Sequence, residues 1–292
     1  MEILARQAVE GFIIGLHKSP YHGFSVEFAE HRLYNPGDNI KNIDWKVYGR
    51  TDKMYVKKFE EETNLRCQLV IDTSSSMYFP EHPKEGKYNK IQFSIVAAAA
   101  LMYMLRQQRD AAGLTLFNDE IQQNTKCGTT TSHHKLLQQY LYHLVQNPPK
   151  SKTTAAAKSL HELAETLHQR SMVVIFSDMM DNMDELPELL LALQHLKHRK
   201  HEVIVFHVHD QQKELNFEFE NRPYKFVDLE TNETLKLQPN QVKDAYISKM
   251  ASIKQEIKLK CAQYKIDFVE ADVNQSFDQI LLPFFVKRSK MY

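Results

Sequence analysis

From Cys67 onward, short apolar runs alternate with longer segments of helical pattern, and that alternation leaves few folds open. Cys67 to Ile71 and Met172 to Phe176 read as buried strands, with further strands at Leu114 to Phe117, Val203 to Val208 and Asp267 to Val269. A short hairpin runs from Leu114 to Phe117 through Glu120 and Ile121, and another joins Phe226 to Leu229 with Thr234 to Leu237 around Thr231-Asn232. Between them, Lys90 to Gln107, His134 to Val145, Ala155 to Gln169, Glu185 to Lys197, residues 241–264 and Phe277 to Val286 read as helices. Asn147-Pro148-Pro149 stops the second helix, because proline lacks the N–H and clashes with the preceding turn. Strand then helix, repeated, predicts an α/β domain on a doubly wound, mainly parallel sheet.

Residues 1–65 follow another pattern. A helix-like stretch over 3–14 gives way to alternating and polar sequence. In Tyr34-Asn35-Pro36-Gly37-Asp38-Asn39, Pro presets φ, Gly admits positive φ, and Asp and Asn bond their own backbone, so a turn is expected. Met54 to Phe59 alternates as a strand does. This region reads as an N-terminal antiparallel β appendage (residues 1–65) to a domain of residues 66–292.

Composition narrows the function classes. Lys+Arg and Asp+Glu are equal at 37 each, which argues against a general nucleic-acid or anionic-membrane role. Glycine is scarce, at 8 residues, and no glycine-rich phosphate loop is visible. Cys67, Cys127 and Cys261 are far apart and odd in number, as expected of reduced thiols. No apolar stretch reaches the roughly 18 residues of a membrane span. The N-terminus lacks the pattern of a secretory signal, so a cytoplasmic protein is expected.

Directly after Leu69-Val70-Ile71 stands Asp72-Thr73-Ser74-Ser75-Ser76. An acid followed by hydroxyls two and four residues on is an all-oxygen donor set, suited to a hard divalent cation. It sits where a strand runs into a loop, the place where open α/β sheets gather their binding sites. Asp178 holds the same position after Val173-Val174-Ile175-Phe176-Ser177. Neighbouring parallel strands lie about 4.8 Å apart, so two such ends can share one ion. Thr153-Thr154, just before the helix from Ala155, offers a further hydroxyl. Mg²⁺ or Mn²⁺ is expected, and Ca²⁺ also accepts such ligands. Few anionic ligands leave the ion electrophilic, with a position for a partner's carboxylate.

Asp72-Thr73-Ser74-Ser75-Ser76 matches the DxSxS signature of the von Willebrand factor A fold, which this chain therefore resembles. The resemblance implies a metal-ion-dependent adhesion site whose ligands are Asp72, Ser74, Ser76, Thr154 and Asp178. Tyr34-Asn35-Pro36-Gly37-Asp38, Ile43-Asp44-Trp45, Arg50 and Phe59-Glu60-Glu61-Glu62, in that order, are similar to the pattern of a bacterial family, domain-of-unknown-function family fifty-eight. The likeness extends over nearly the whole chain, through Phe206-His207-Val208 and Leu281-Leu282-Pro283-Phe284. Members are typically encoded beside MoxR-type AAA ATPases. The resemblance implies a non-enzymatic, metal-dependent protein-binding module that partners such an ATPase in maturing or remodelling a client protein. Gly49 stands where the family commonly has Ala, Met179 where many A domains have Gly, and Ala155 where a polar residue often follows the ligand Thr.

Other clusters have blander readings beside functional ones. Asp38, Asp44, Trp45 and Arg50 either dock a partner or form a buried ion pair with Trp45 as apolar anchor; the second is expected. His195, His198 and His201, with His207 and His209, have spacing that zinc would accept, but no Cys lies near and Lys197 to His201 reads as a solvated helix end. Asp181 and Asp184 suit a second ion or, more simply, helix capping. A metal-dependent hydrolase of phosphoesterase type on the same site is the alternative function. Against it, no GxSxG elbow is present, and Ser74 stands where a phosphatase would place its second Asp.

Overall fold

The structure is a computed structural model that describes residues 25–36, 43–62, 65–83, 86–146, 156–179, 185–227, 234–277, 279–281 and 283. The chain divides into two compact units, one of residues 18–65 and the other in the main of residues 66–291. The expected helix over 3–14 lies outside the described residues.

In the smaller unit, β1 (Ser25–Leu33) pairs antiparallel with β2 (Tyr55–Glu62), with a bulge between Phe28 and Glu30. Between them the alternating reading missed a helix, α1 (Trp45–Thr51). Its start is set by Asp44, whose carboxylate accepts from Lys46 N and Val47 N at 3.0 and 3.2 Å and so satisfies two orphan donors. Trp45 is 57% exposed, which overturns the expectation of a buried anchor. It fails because Trp45 is the first residue of a helix none of whose residues is buried. Asp38 lies outside the described residues.

The larger unit holds a six-stranded sheet in the order β10-β7-β6-β3-β4-β5. Its strands are β3 (Arg66–Asp72), β4 (Ala111–Phe117), β5 (Ile121–Asn124), β6 (Met172–Ser177), β7 (Glu202–His209) and β10 (Asp267–Asp272). All neighbours are parallel except β4 and β5. The expected mixed α/β architecture on a mainly parallel sheet is therefore the observed one. A separate hairpin pairs β8 (Tyr224–Val227) with β9 (Thr234–Leu237).

The central strands are buried along almost their whole length, and successive side chains point to opposite faces, so both faces of the sheet are covered. α2 (Lys90–Gln107) packs across β3, β4 and β7. Asn89 and Gln92 start it with a reciprocal capping box, and Ala97 to Ala100 are all buried, short enough to let the helix approach closely. α4 (Ala156–Thr166) and α5 (Leu186–His198) bury Leu160, Leu163, Leu189 and Leu193 against Val173 and Val205 of the sheet. α3 (Thr131–Gln146) and α6 (Pro239–Gln263) are further helices, and Phe277, Gln279 to Leu281 and Pro283 are helical as well, where the sequence predicts the last helix. No helix among the described residues is long and apolar enough to cross a membrane.

β7 carries two buried histidines, His207 and His209, with ring centroids 5.0 Å apart. Burial, with His209 alongside, pushes the His207 imidazole down to about 3. An unfolded histidine titrates near 6.5, so between these values unfolding takes up a proton. Stability falls as pH drops through that window, by about 1.4 kcal/mol per pH unit for this residue. Phe at 207 keeps a ring beside Phe268, which stands 5.5 Å away. Urea unfolding at pH 7 and pH 5 should show the wild type losing about 2 kcal/mol more than His207→Phe. Equal losses would place the acid sensitivity elsewhere.

Candidate metal centre

β3 is the first strand of the sheet in the chain and lies at its middle. The chain adds β4 and β5 on one side of it, then returns to add β6, β7 and β10 on the other. The direction of winding thus reverses between β3 and β6. In open α/β sheets such a reversal opens a crevice at the carboxyl ends of the two strands. Asp72 ends β3, and Ser177 ends β6 with Asp178 next.

These side chains meet. Ser177 Oγ donates to Asp72 Oδ2 at 2.7 Å across 105 residues of sequence, and Ser74 N donates to Asp72 Oδ1 at 2.9 Å. Ser74 Oγ and Ser76 Oγ are 3.0 Å apart. Asp72, Ser74 and Asp178 are buried, and Ser76 is half-buried at the start of a short 3₁₀ turn, Ser75–Tyr78. Thr73 turns away to donate from Oγ1 to Phe117 O at 2.8 Å, which fixes the loop against β4. Met179 N donates to Ser177 Oγ at 3.0 Å, with Met179 at φ 52 in the left-handed region that costs a residue with a Cβ.

Lys90 completes the cluster, and nothing in its sequence position marked it. It is the first residue of α2 and is 1% exposed. Its Nζ donates to Asp178 Oδ2 at 2.7 Å and to Glu214 Oε1 at 2.5 Å. Glu214 lies on a π-turn, Gln211–Leu215, just past β7. Asp210 builds that turn, its carboxylate accepting from Gln212 N and Lys213 N, while Asp210 N donates to Glu214 Oε2 at 2.7 Å.

Asp178 and Glu214 thus share one ammonium in a buried site, and the charge of Asp178 is felt in turn by Asp72. Burial pushes the Asp72 carboxyl up to about 7, the Asp178 charge adding to it and the bonds from Ser74 and Ser177 opposing it. Burial likewise raises Glu214 against the pull of Lys90. Burial alone would lower Lys90, but Asp178 and Glu214 outweigh it and hold the ammonium charged.

A divalent cation suits this donor set on two grounds. Octahedral ligands at about 2.1 Å from Mg²⁺ stand about 3.0 Å apart along an edge, the spacing of the two serine oxygens. Three carboxylates against one ammonium leave two negative charges, which a divalent ion would balance. Among the described residues no group of three His, Cys, Asp or Glu could hold a metal ion, so an ion here depends on the hydroxyls. That is magnesium or manganese chemistry in preference to zinc.

Of the predicted ligands, the structure brings Asp72, Ser74, Ser76 and Asp178 to one crevice. Thr154 and its neighbour Thr153 lie outside the described residues, as do Asp181 and Asp184. The histidines do not converge. His195 Nε2 pairs with Glu165 at 3.0 Å, His198 is exposed, and His201, expected at a solvated end, is buried with Nδ1 accepting from Ser171 N. Beside the crevice, Thr73, Leu116, Gln122, Gln139, Tyr140 and His143 line a cleft of about 570 Å³.

Comparison with known proteins adds a family and distant likenesses. The chain is 26% identical over 180 residues to uncharacterised proteins of Mycobacterium bovis and Mycobacterium tuberculosis, covering 62% of this chain and 55% of theirs. It therefore spans about half the length of the curated relatives it matches. Among solved structures, the conserved hypothetical protein BatB from Bacteroides thetaiotaomicron aligns with a TM-score of 0.46 at 12% identity, over 78% of this chain and 100% of that one. The pilus adhesin SpaC from Lactobacillus rhamnosus GG aligns at 0.46 and 13%, over 77% and 30%. The VWA domain of SpRpn10 aligns at 0.34 and 13%, over 50% and 76%. The sequence model of one family matches residues 30–256, and by that match the chain belongs to DUF58, described as a protein family of unknown function.

Proposed function

We propose that this protein is a metal-dependent protein-binding module of von Willebrand factor A-like type. Asp72, Ser74 and Ser76 would hold Mg²⁺ or Mn²⁺, with Thr154 and Asp178 completing the shell directly or through water. The ion supplies a Lewis-acidic position to which a partner's Asp or Glu side chain binds. The protein groups do the rest. Ser177 and Ser74 N orient the Asp72 carboxylate, Thr73 anchors the loop, and Lys90 holds Asp178. The observation that carries this reading is the meeting of Asp72, Ser74, Ser76 and Asp178 at the winding reversal of the sheet. The module is non-enzymatic and cytoplasmic, and its partner is a MoxR-type AAA ATPase acting on a client protein. These assignments rest on the resemblance of the N-terminal motifs and on membership of the family.

The test is retention of the organism's purified MoxR-type ATPase on immobilised protein. Retention in Mg²⁺, lost in EDTA and lost with Asp72→Ala in Mg²⁺, is the expected result. A tenfold or smaller change with Asp72→Ala would mean that the partner docks elsewhere. Phosphoester turnover that vanishes with Asp72→Ala would replace the module with the hydrolase.

A further inference from the structure

Lys90 is buried beside the candidate ligand Asp178, yet it is no ligand itself. An ammonium in that place changes what an ion next to it can do. Asp178 and Glu214 both donate negative charge toward the crevice, and Lys90 bonds both, at 2.7 and 2.5 Å. The three groups come from separate parts of the chain: the first turn of α2, the end of β6 and the π-turn after β7. The Asp210 bonds that shape the π-turn aim Glu214 at the ammonium. Phe79 also faces this ammonium, 6.0 Å from its ring centroid. This is a built position for a cation and not a chance surface pair.

We propose that Lys90 is a specificity-determining residue of the metal centre, a fixed internal cation that keeps the loaded centre from carrying a net negative charge and so selects a carboxylate-bearing partner. The inference rests on the metal-centre reading above. With Lys90 present, Asp72, Asp178, Glu214 and a divalent ion sum to zero, and an arriving carboxylate meets an unrepelled electrophile. Without it, the loaded centre carries a negative charge. The ion is then held more tightly, and an anionic partner is turned away.

A charge series separates this from a merely structural role. Lys90→Met makes the ion-free centre more negative by one charge, and Glu214→Gln less negative by one. The double variant Lys90→Met/Glu214→Gln restores the wild-type sum and leaves fewer buried charges unpaired. Mn²⁺ alone is the probe, titrated by electron paramagnetic resonance at pH 8 on the full chain, with circular dichroism melts to verify folding. Affinity should rise about tenfold in Lys90→Met, fall about tenfold in Glu214→Gln and return near wild type in the double variant. If Lys90→Met proves unfolded, the wild type, Glu214→Gln and the double variant still define the order. Affinities that ignore charge, or a folded double variant that binds at least tenfold more weakly than wild type, overturn the proposal. A wild type that binds no Mn²⁺ overturns the metal-centre reading. In that case the selective role of Lys90 falls with it, whereas a wild type that binds Mn²⁺ with affinities that ignore charge overturns the role of Lys90 alone.

Discussion

Asp72→Asn protein is expected to be more stable than the wild type in EDTA at pH 8, and to lose its response to Mg²⁺. The carboxylate is 1% exposed and faces the Asp178 charge, which together push it up to about 7. A carboxyl raised above its unfolded value near 3.9 opposes folding at every pH above that range, and the penalty is relieved as pH falls through 7. Removing the charge at pH 8 should therefore add on the order of 2 kcal/mol in urea unfolding. Asn retains an oxygen for the bond from Ser74 N. Its amide faces Ser177 Oγ, which can accept in place of donating. With Mg²⁺ present the order should reverse, because only the wild type gains binding energy for its native state. A variant no more stable than wild type in EDTA would mean that Asp72 is not held against its own charge.

The second large effect is mechanical. Phe176 lies on β6 between Ile71 of β3 and Phe206 of β7, fully buried, with its ring 4.9 Å from that of Phe206 and stacked on it. It precedes Ser177 and Asp178 directly. Phe176→Ala should cost about 3–5 kcal/mol, the range for deleting a buried aromatic ring from a packed core. The cavity also sits beneath the strand end that aims Ser177 at Asp72. Urea unfolding measures the first consequence and Mg²⁺-induced stabilisation the second. A loss under 1 kcal/mol would show that the neighbouring strands close the gap.

What could be read from the chain follows from how local each signal is. β3 and β6 are short apolar runs covered on both faces, and runs of that kind are legible without any tertiary knowledge. Asp72, Ser74 and Ser76 lie within five residues and could be seen together. Asp178 could be found because it repeats the position of Asp72 after another such strand. Lys90 could not be found. At the start of a helix a lysine ordinarily faces water, and the partners of this one stand 88 and 124 residues away. Glu214 hid in a π-turn, which has no hydrophobic period. The missed start of β4, Ala111-Ala112-Gly113, has poor strand propensity; it is a strand because β3 pairs with it from Arg66 onward. Trp45 misled for a related reason, since its size suggested burial while Asp44 made it the exposed first residue of a helix.

The strand order also sets when the centre can exist during synthesis. Asp72 emerges early, but the hydroxyl that orients it follows 105 residues later, and Glu214, which shares Lys90 with Asp178, emerges later still. A ribosome adding about 5–20 residues per second exposes β3 for several seconds before β6 can close against it. During that interval the Asp72 loop lacks the bond from Ser177 and one wall of its crevice. A chain halted before β7 and its π-turn would carry the DxSxS residues without the surroundings that shape them. The complete crevice is thereby a late property of the nascent protein, gained only after the far side of the sheet is in place.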